Sequence, residues 1–246
     1  MERRRRESQD REAVSAAGSP GITGISSMAT RELLAGLAPA FERQSGRVVA
    51  FESVGGVDAA RRVGSGEPFD VVVLASDAID RLVGARRVVA GSKVDLARSG
   101  IAVAVRSGAP RPEIGSEEAV RRAVLSARSV GSSTGPSGVA LAGLFERWGI
   151  AAEIKDRIVR APPGVPVGDL LARGEAELGF QQLSELIGLS GIDVIGPLPP
   201  AIQIITTFSA GLCTCSMQGD AVRSLLDFMA SPLSADAKRH YGMEPA

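Results

Sequence analysis

Phe69-Asp-Val-Val-Val-Leu-Ala75 is the stretch that decides the fold. Its last five residues are all apolar, with no polar side chain at alternate positions. A run of strand length with that pattern is buried on both faces, which places it inside a sheet covered by helices above and below. Gly64-Ser-Gly-Glu-Pro68 marks a turn before it, and Ser76 to Val83 has helical spacing after it. The same alternation extends in both directions. Upstream, Gly21 to Ile25 and Arg47 to Ser53 read as strands, with helices over Arg31 to Ser45 and Val57 to Val63. Downstream, strands are expected at Ile101–Arg106, from Arg128, at Ile158–Ala161, Glu177–Gln181, Ile192–Gly196 and Ile202–Ser209. Helices fall between them, at Ser116–Ala127, Ser137–Trp148, Val167–Arg173 and Asp220–Met229. Repeated β-α units without a tandem repeat imply an α/β fold of doubly wound parallel sheets.

Composition agrees. The chain has 246 residues, more than one average domain, so two lobes of roughly 100 residues each are expected. Apolar residues make up 44% but aromatics only 4%, so the cores are built from Val, Leu, Ile and Ala. Lys plus Arg and Asp plus Glu number 28 each. That balance gives no electrostatic reason to expect nucleic acid or an anionic membrane as partner. Cys213 and Cys215 alternate in an apolar run and are read as structural thiols on one face of a strand. The only histidine is His240, so no metal site is expected. Residues 1–20 read as a disordered, Arg- and Glu-rich leader. It lacks the apolar stretch of a secretory signal, and no 18-residue apolar span follows. As written, the sequence is that of a cytoplasmic protein, unless the native start or signal differs.

Four stretches, in this order, carry a family resemblance: Ser26-Ser27-Met28 after the first strand; Gly66 to Asp77; Gly131-Ser-Ser-Thr-Gly-Pro-Ser-Gly138; and Gly174-Glu-Ala-Glu-Leu-Gly-Phe180. The closing Leu226 to Ala235 and the Tyr241-Gly242 pair fit as well. The chain from about residue 21 onward resembles the type 2 periplasmic-binding fold, in its molybdate-binding-protein branch. The resemblance implies two doubly wound α/β lobes with a central ligand cleft. Lobe one would hold residues 21–98 and 204–246, and lobe two residues 99–203. It also implies a monomer without cofactor that binds a small anionic ligand and serves an ABC transporter permease.

By the same resemblance Ser27 is the hydroxyl that grips an oxyanion, with Ser26 beside it. The plainer reading of either, or of Thr30, is a helix N-cap. In the Gly131–Gly138 loop, Ser132, Ser133, Thr134 and Ser137 are interspersed with three glycines and a proline just before a helix. That setting suits an oxygen-rich anion, and equally an ordinary Ser/Gly turn. Departures from the family also stand out. Where a second serine is expected the chain has Val57, after Gly55-Gly56, with only Ser53 nearby. Where the family has a tyrosine it has Gln182, next to Gln181. Arg106 ends the Ile101–Val105 strand, where it is either a carboxylate-binding fork at the cleft or a solvated strand end. The candidate ligand set is thus Ser26, Ser27, Ser53, Gly56, Arg106, Ser132, Ser133, Thr134, Ser137, Gln181 and Gln182. It favours an organic di- or tricarboxylate over molybdate.

An enzyme is the alternative, since some proteins similar to this branch are aconitate isomerases, which move a double bond in a tricarboxylate by proton transfer. That reaction needs a base and donors for the carboxylates. Only Glu185 or a hydroxyl of residues 132–134 is on hand for the base, so the catalytic residue stays open. No G-x-S-x-G, P-loop or H-E-x-x-H motif is present.

Overall fold

The structure is a computed structural model and describes residues 21–246; the expected leader lies outside the described residues. Strand β3 (Val71–Ala75) is buried at all five positions. Val71 and Val73 face one apolar cluster, Val72 and Leu74 another. On the first face lie Leu33, Leu34, Leu37 and Phe41 of α1 (Arg31–Ser45) and Leu225, Leu226 and Met229 of α9 (Gly219–Ala230). On the second lie Ala59 and Val63 of α2 (Gly56–Ser65) and Ile79 and Leu82 of α3 (Ser76–Gly84). A strand with no polar face can be stable only with helices on both sides, and here it has them. Burial of each such Val or Leu contributes about 1.5–3 kcal/mol.

The strands run in the order β2-β1-β3-β9-β4-β7-β5-β6, with β8 and β10 also paired to β4. β1 (Ile22–Ser27) is parallel to β2 (Val49–Val54) and β3. β7 (Leu178–Gln182), β5 (Val130–Ser132) and β6 (Ile158–Arg160) form a second parallel group. Between the groups the sheet is antiparallel, which is a difference from a purely parallel expectation. β4 (Val94–Arg106) runs for 13 residues rather than starting at Ile101. Its first half pairs antiparallel with β9 (Ile205–Leu212), and its second half pairs antiparallel with β7 and with β8 (Ile192–Pro197). Both β4 and β9 thereby tie the two α/β lobes together.

Around the second group, Ile101, Val103 and Val105 pack on α4 (Glu117–Ser126) and α5 (Pro136–Arg147). On the other face Ala102 and Ala104 meet Leu170 and Leu171 of α7 (Val167–Ala172). Small residues are needed there. A Cβ on Gly131 would come within 2.9 Å of Val167 Cγ1, and one on Gly179 within 2.7 Å of Leu171 Cδ1. The glycines let α7 sit directly on the sheet. The remaining short helices are α6 (Ala151–Ile154), α8 (Leu183–Leu186) and α10 (Ala235–His240), with β10 (Glu244–Pro245) last.

The cysteines depart from expectation. β9 ends at Leu212, so Cys213 is buried while Cys215 is exposed in the following turn, its thiol donating to the Phe69 carbonyl. Among the described residues no helix is long and apolar enough to cross a membrane.

Candidate functional site

A cavity of about 520 Å³ opens where the two groups of strands meet, a volume in the usual range for small-molecule sites. One wall comes from Ser27, Met28, the Gly55–Gly56 turn and the β3–α3 junction; the facing wall comes from residues 133–137, the loop 161–166 and Gln181, Gln182 and Glu185. Thr206 and Phe208 of β9 also line it.

Helix starts dominate the walls. Gly55, Ala75 and Gly135 are the N-cap residues of α2, α3 and α5, none makes a side-chain cap, and all three line the cavity. Their unsatisfied N–H groups and the positive ends of the helix dipoles favour a negatively charged ligand. Ser27 is an N-cap: its Oγ accepts from Ala29 N at 3.2 Å. Since the cap uses only a lone pair, the hydroxyl proton is still free to donate into the cleft. Gly56, the first residue of α2, stands directly beside Ser27, where a Cβ would sit in ordinary contact at 3.4 Å from the Ser27 Cβ. Ser133 and Ser137 hydroxyls are 3.0 Å apart.

Charged side chains are few. Asp58 and Arg81 stand on the first wall, Arg81 already paired with Asp77 at 2.7 Å. On the second wall Glu185 stands in the first turn of α8. Burial pushes its carboxyl up to about 7, against the opposing pull of the Gln181 amide and the Arg31 charge. The Gln182 Nε2 donates to Thr206 Oγ1 at 2.8 Å, and Gln182 Oε1 is buried without a partner.

Of the residues singled out from sequence, Ser27, Gly56, Ser133, Thr134, Ser137, Gln181 and Gln182 line this cavity. Four others stand elsewhere. Ser26 and Ser53 are register partners on β1 and β2, and their hydroxyls bond each other at 2.8 Å away from the cleft. Ser132 is paired in register with Phe180, so strand alternation turns it to the α5 face, where Phe180 stacks edge-on against Phe145. Arg106 is at the wrong end of its strand. Ile101 pairs with Gln182 and Val105 with Leu178, so β4 runs away from the cleft towards its C-terminus. Five residues of strand put Arg106 roughly 17 Å from the Gln182 end, and it is the plain solvated strand end.

Sequence reasoning passed over the loop Ala161-Pro-Pro-Gly-Val-Pro166, which forms much of the second wall. Its Pro-Pro-Gly turn signal was readable. Thr206 and Phe208 gave no local signal, because only the crossing of β9 between lobes brings them to the cleft. His240 lines a second cavity, behind the cleft, together with Arg31 and Glu185.

Two α/β lobes around a cleft of hydroxyls and open helix starts define a solute-binding protein of the periplasmic-binding fold. The chain belongs to the bacterial extracellular solute-binding protein family, whose profile matches residues 22–244. It is 38% identical over 230 residues to an aconitate isomerase from a Pseudomonas species, covering 91% of this chain and 87% of that protein. It is 26% identical over 217 residues to the molybdate-binding protein ModA of Azotobacter vinelandii, covering 84% of this chain and 82% of that one. Among solved structures, the Azotobacter vinelandii periplasmic molybdate-binding protein superimposes with a TM-score of 0.76 at 19% identity, over 90% of this chain and 98% of that one.

Proposed function

We propose that this protein takes a small tricarboxylate into the interlobe cleft and shifts its carbon–carbon double bond by proton transfer, as an aconitate-isomerase-like enzyme. The observation that carries the reading is Glu185, a carboxyl in the cleft wall held near neutrality by burial. A general base works best when its pKa lies near the working pH, and a site meant only to hold an anion gains nothing from a carboxylate. The 38% identity to an aconitate isomerase supports the same reading.

In the proposed step the Glu185 carboxylate takes a proton from the methylene carbon of the bound acid. The electrons of that C–H bond form a new double bond to the central carbon. The old π pair accepts the proton back from Glu185 at the far carbon. Atoms balance, no oxidant or cofactor is consumed, and the product is the same acid with its double bond moved by one carbon. Charge that develops on the flanking carboxylates would be met by Ser27, Ser133, Thr134 and Ser137, the Gln182 amide, and the starts of α2, α3 and α5 near Gly56, Ala75 and Gly135. Lobe closure about β4 and β9 would exclude water from the intermediate.

A second reading keeps the binding and drops the chemistry: a receptor that hands a small oxyanion to an ABC transporter permease. The uncapped helix starts and neutral hydroxyls favour it, as does the 26% identity to a molybdate-binding protein. A thermal-shift panel of molybdate, tungstate, sulfate and di- and tricarboxylates separates the two. A ligand at 100-fold its dissociation constant stabilises by about 2.7 kcal/mol. Stabilisation by a tricarboxylate, with proton NMR showing its double bond move, is the expected result. Stabilisation by molybdate or tungstate alone favours the receptor.

A further inference from the structure

Glu185 stands on the boundary between two cavities. It lines the cleft, yet it also lines the cavity behind, with Arg31 and Glu32 of α1, Ser184, and His240 and Tyr241 at the end of α10. A carboxylate open to two spaces has freedom to swing, and a base must not. One contact fixes it: the Nε2 of Gln181 donates to Glu185 Oε2 at 2.5 Å. Gln181 is itself locked. Its side chain is buried, and its Oε1 accepts from the backbone N–H of Val167 at 2.6 Å. That donor settles which end of the amide faces which way, since an N–H must meet the oxygen. The amide nitrogen is therefore committed to the carboxylate.

We propose that Gln181 is a positioning residue for Glu185: its amide clamps the carboxylate towards the cleft in the orientation of a proton acceptor. This rests on the reading of Glu185 as the acid–base group. The chain of contacts runs from the ligand-facing loop 161–166 through Val167, the first residue of α7, to Gln181 and then to Glu185. A hydrogen bond donated to a carboxylate stabilises its charged form, opposing the effect of burial. Other charged or titratable groups facing Glu185 are Arg31, which favours ionisation, Glu32, His240 and Tyr241 across the rear cavity, and Asp58 and Arg81 across the cleft. None of these makes a hydrogen bond to Glu185; Gln181 does.

The test is Gln181→Met, which keeps the side chain's length and removes both hydrogen bonds. Gln181→Leu is the companion, a neutral side chain that cannot donate to Glu185 and brings no new charge beside it. For each, kcat and KM for tricarboxylate isomerisation are measured from pH 5 to 9. Carbon-13 NMR follows the Glu185 carboxyl in the same proteins, assigned with Glu185→Gln. The expected result for both variants is an acid limb of kcat displaced upward by about one pH unit or more. Activity then falls about tenfold at pH 6, recovers by pH 9, and KM changes little. The NMR titration of Glu185 moves upward in parallel. A raised KM with an unmoved pH profile makes Gln181 a ligand contact and overturns the proposal. A uniform loss across the pH range with an unmoved titration makes it merely structural and also overturns it. If the wild-type protein isomerises no tricarboxylate, the enzymatic reading fails by itself. The NMR titration still decides the coupling, since an upward shift upholds the clamp and an unchanged midpoint refutes it.

Discussion

Arg106 and Glu185 show how much a single residue's meaning depends on strand direction. Arg106 has its charge in solvent at the far end of β4, while Glu185 is half-buried on the cleft wall. Arg106→Ala is therefore expected to leave ligand affinity within about twofold, since a solvated charge roughly 17 Å away is screened. Isothermal titration with the ligand found in the panel measures this, and a tenfold loss would return Arg106 to the site. The residue-level signals in the sequence were uneven for a physical reason. Ser27 and the Ser133–Ser137 group sit at helix starts, which local hydroxyl and glycine spacing announces. Whether Arg106 points to the cleft depends on β4 running antiparallel to β7, and no local pattern encodes that. Ser26 and Ser53 were indistinguishable from Ser27 until their register paired them.

At the scale of elements, the loop of residues 132–137 and the helix that follows it depend on one close contact. A Cβ on Gly138, in the first turn of α5, would lie 1.9 Å from the carbonyl oxygen of Ser133, a distance no packed atom tolerates. Gly138→Ala must displace the loop that carries Ser133 and Thr134. Ligand affinity is expected to fall at least tenfold, with the folded state destabilised by about 1–3 kcal/mol. Titration calorimetry and urea unfolding test the two parts; wild-type affinity in this variant would remove the loop from the site. Elements with an unbroken apolar pattern, β3 above all, were legible from the sequence, as were the helices that cover it. The first half of β4 was not. Val94-Asp-Leu-Ala-Arg-Ser-Gly100 mixes charge and glycine because it crosses between lobes, where neither face is uniformly buried. The same crossing makes the sheet mixed rather than parallel, and it brings Thr206 and Phe208 of β9 to the cleft.

For the whole molecule, Glu185 links the site to stability. Its folded-state pKa of about 7 exceeds the ordinary 4.5, so folding favours the protonated form. That contribution is fully present below about pH 4.5 and is lost as the pH rises through 7. Glu185→Gln cannot ionise. Relative to wild type it is expected to gain up to about 3 kcal/mol between pH 5 and pH 8, measured by urea unfolding at both values. An unchanged difference between the two pH values would mean that Glu185 titrates as an ordinary surface carboxylate. The fold as a whole, two α/β lobes around a cleft, was readable because each β-α unit carries its own periodicity and punctuation. The cost of ionising Glu185 was not, because it comes from neighbours distant in sequence.

The most direct test of the account is proton NMR of a mixture of trans- and cis-aconitate with wild-type protein and with Glu185→Gln, alongside calorimetric binding to both. With Glu185 as the base, wild type interconverts the isomers, and the variant still binds them while turning over about 10²–10⁴-fold more slowly. Wild-type protein that binds but leaves both isomers unchanged would contradict that role, and so would a Glu185→Gln variant that isomerises at the wild-type rate.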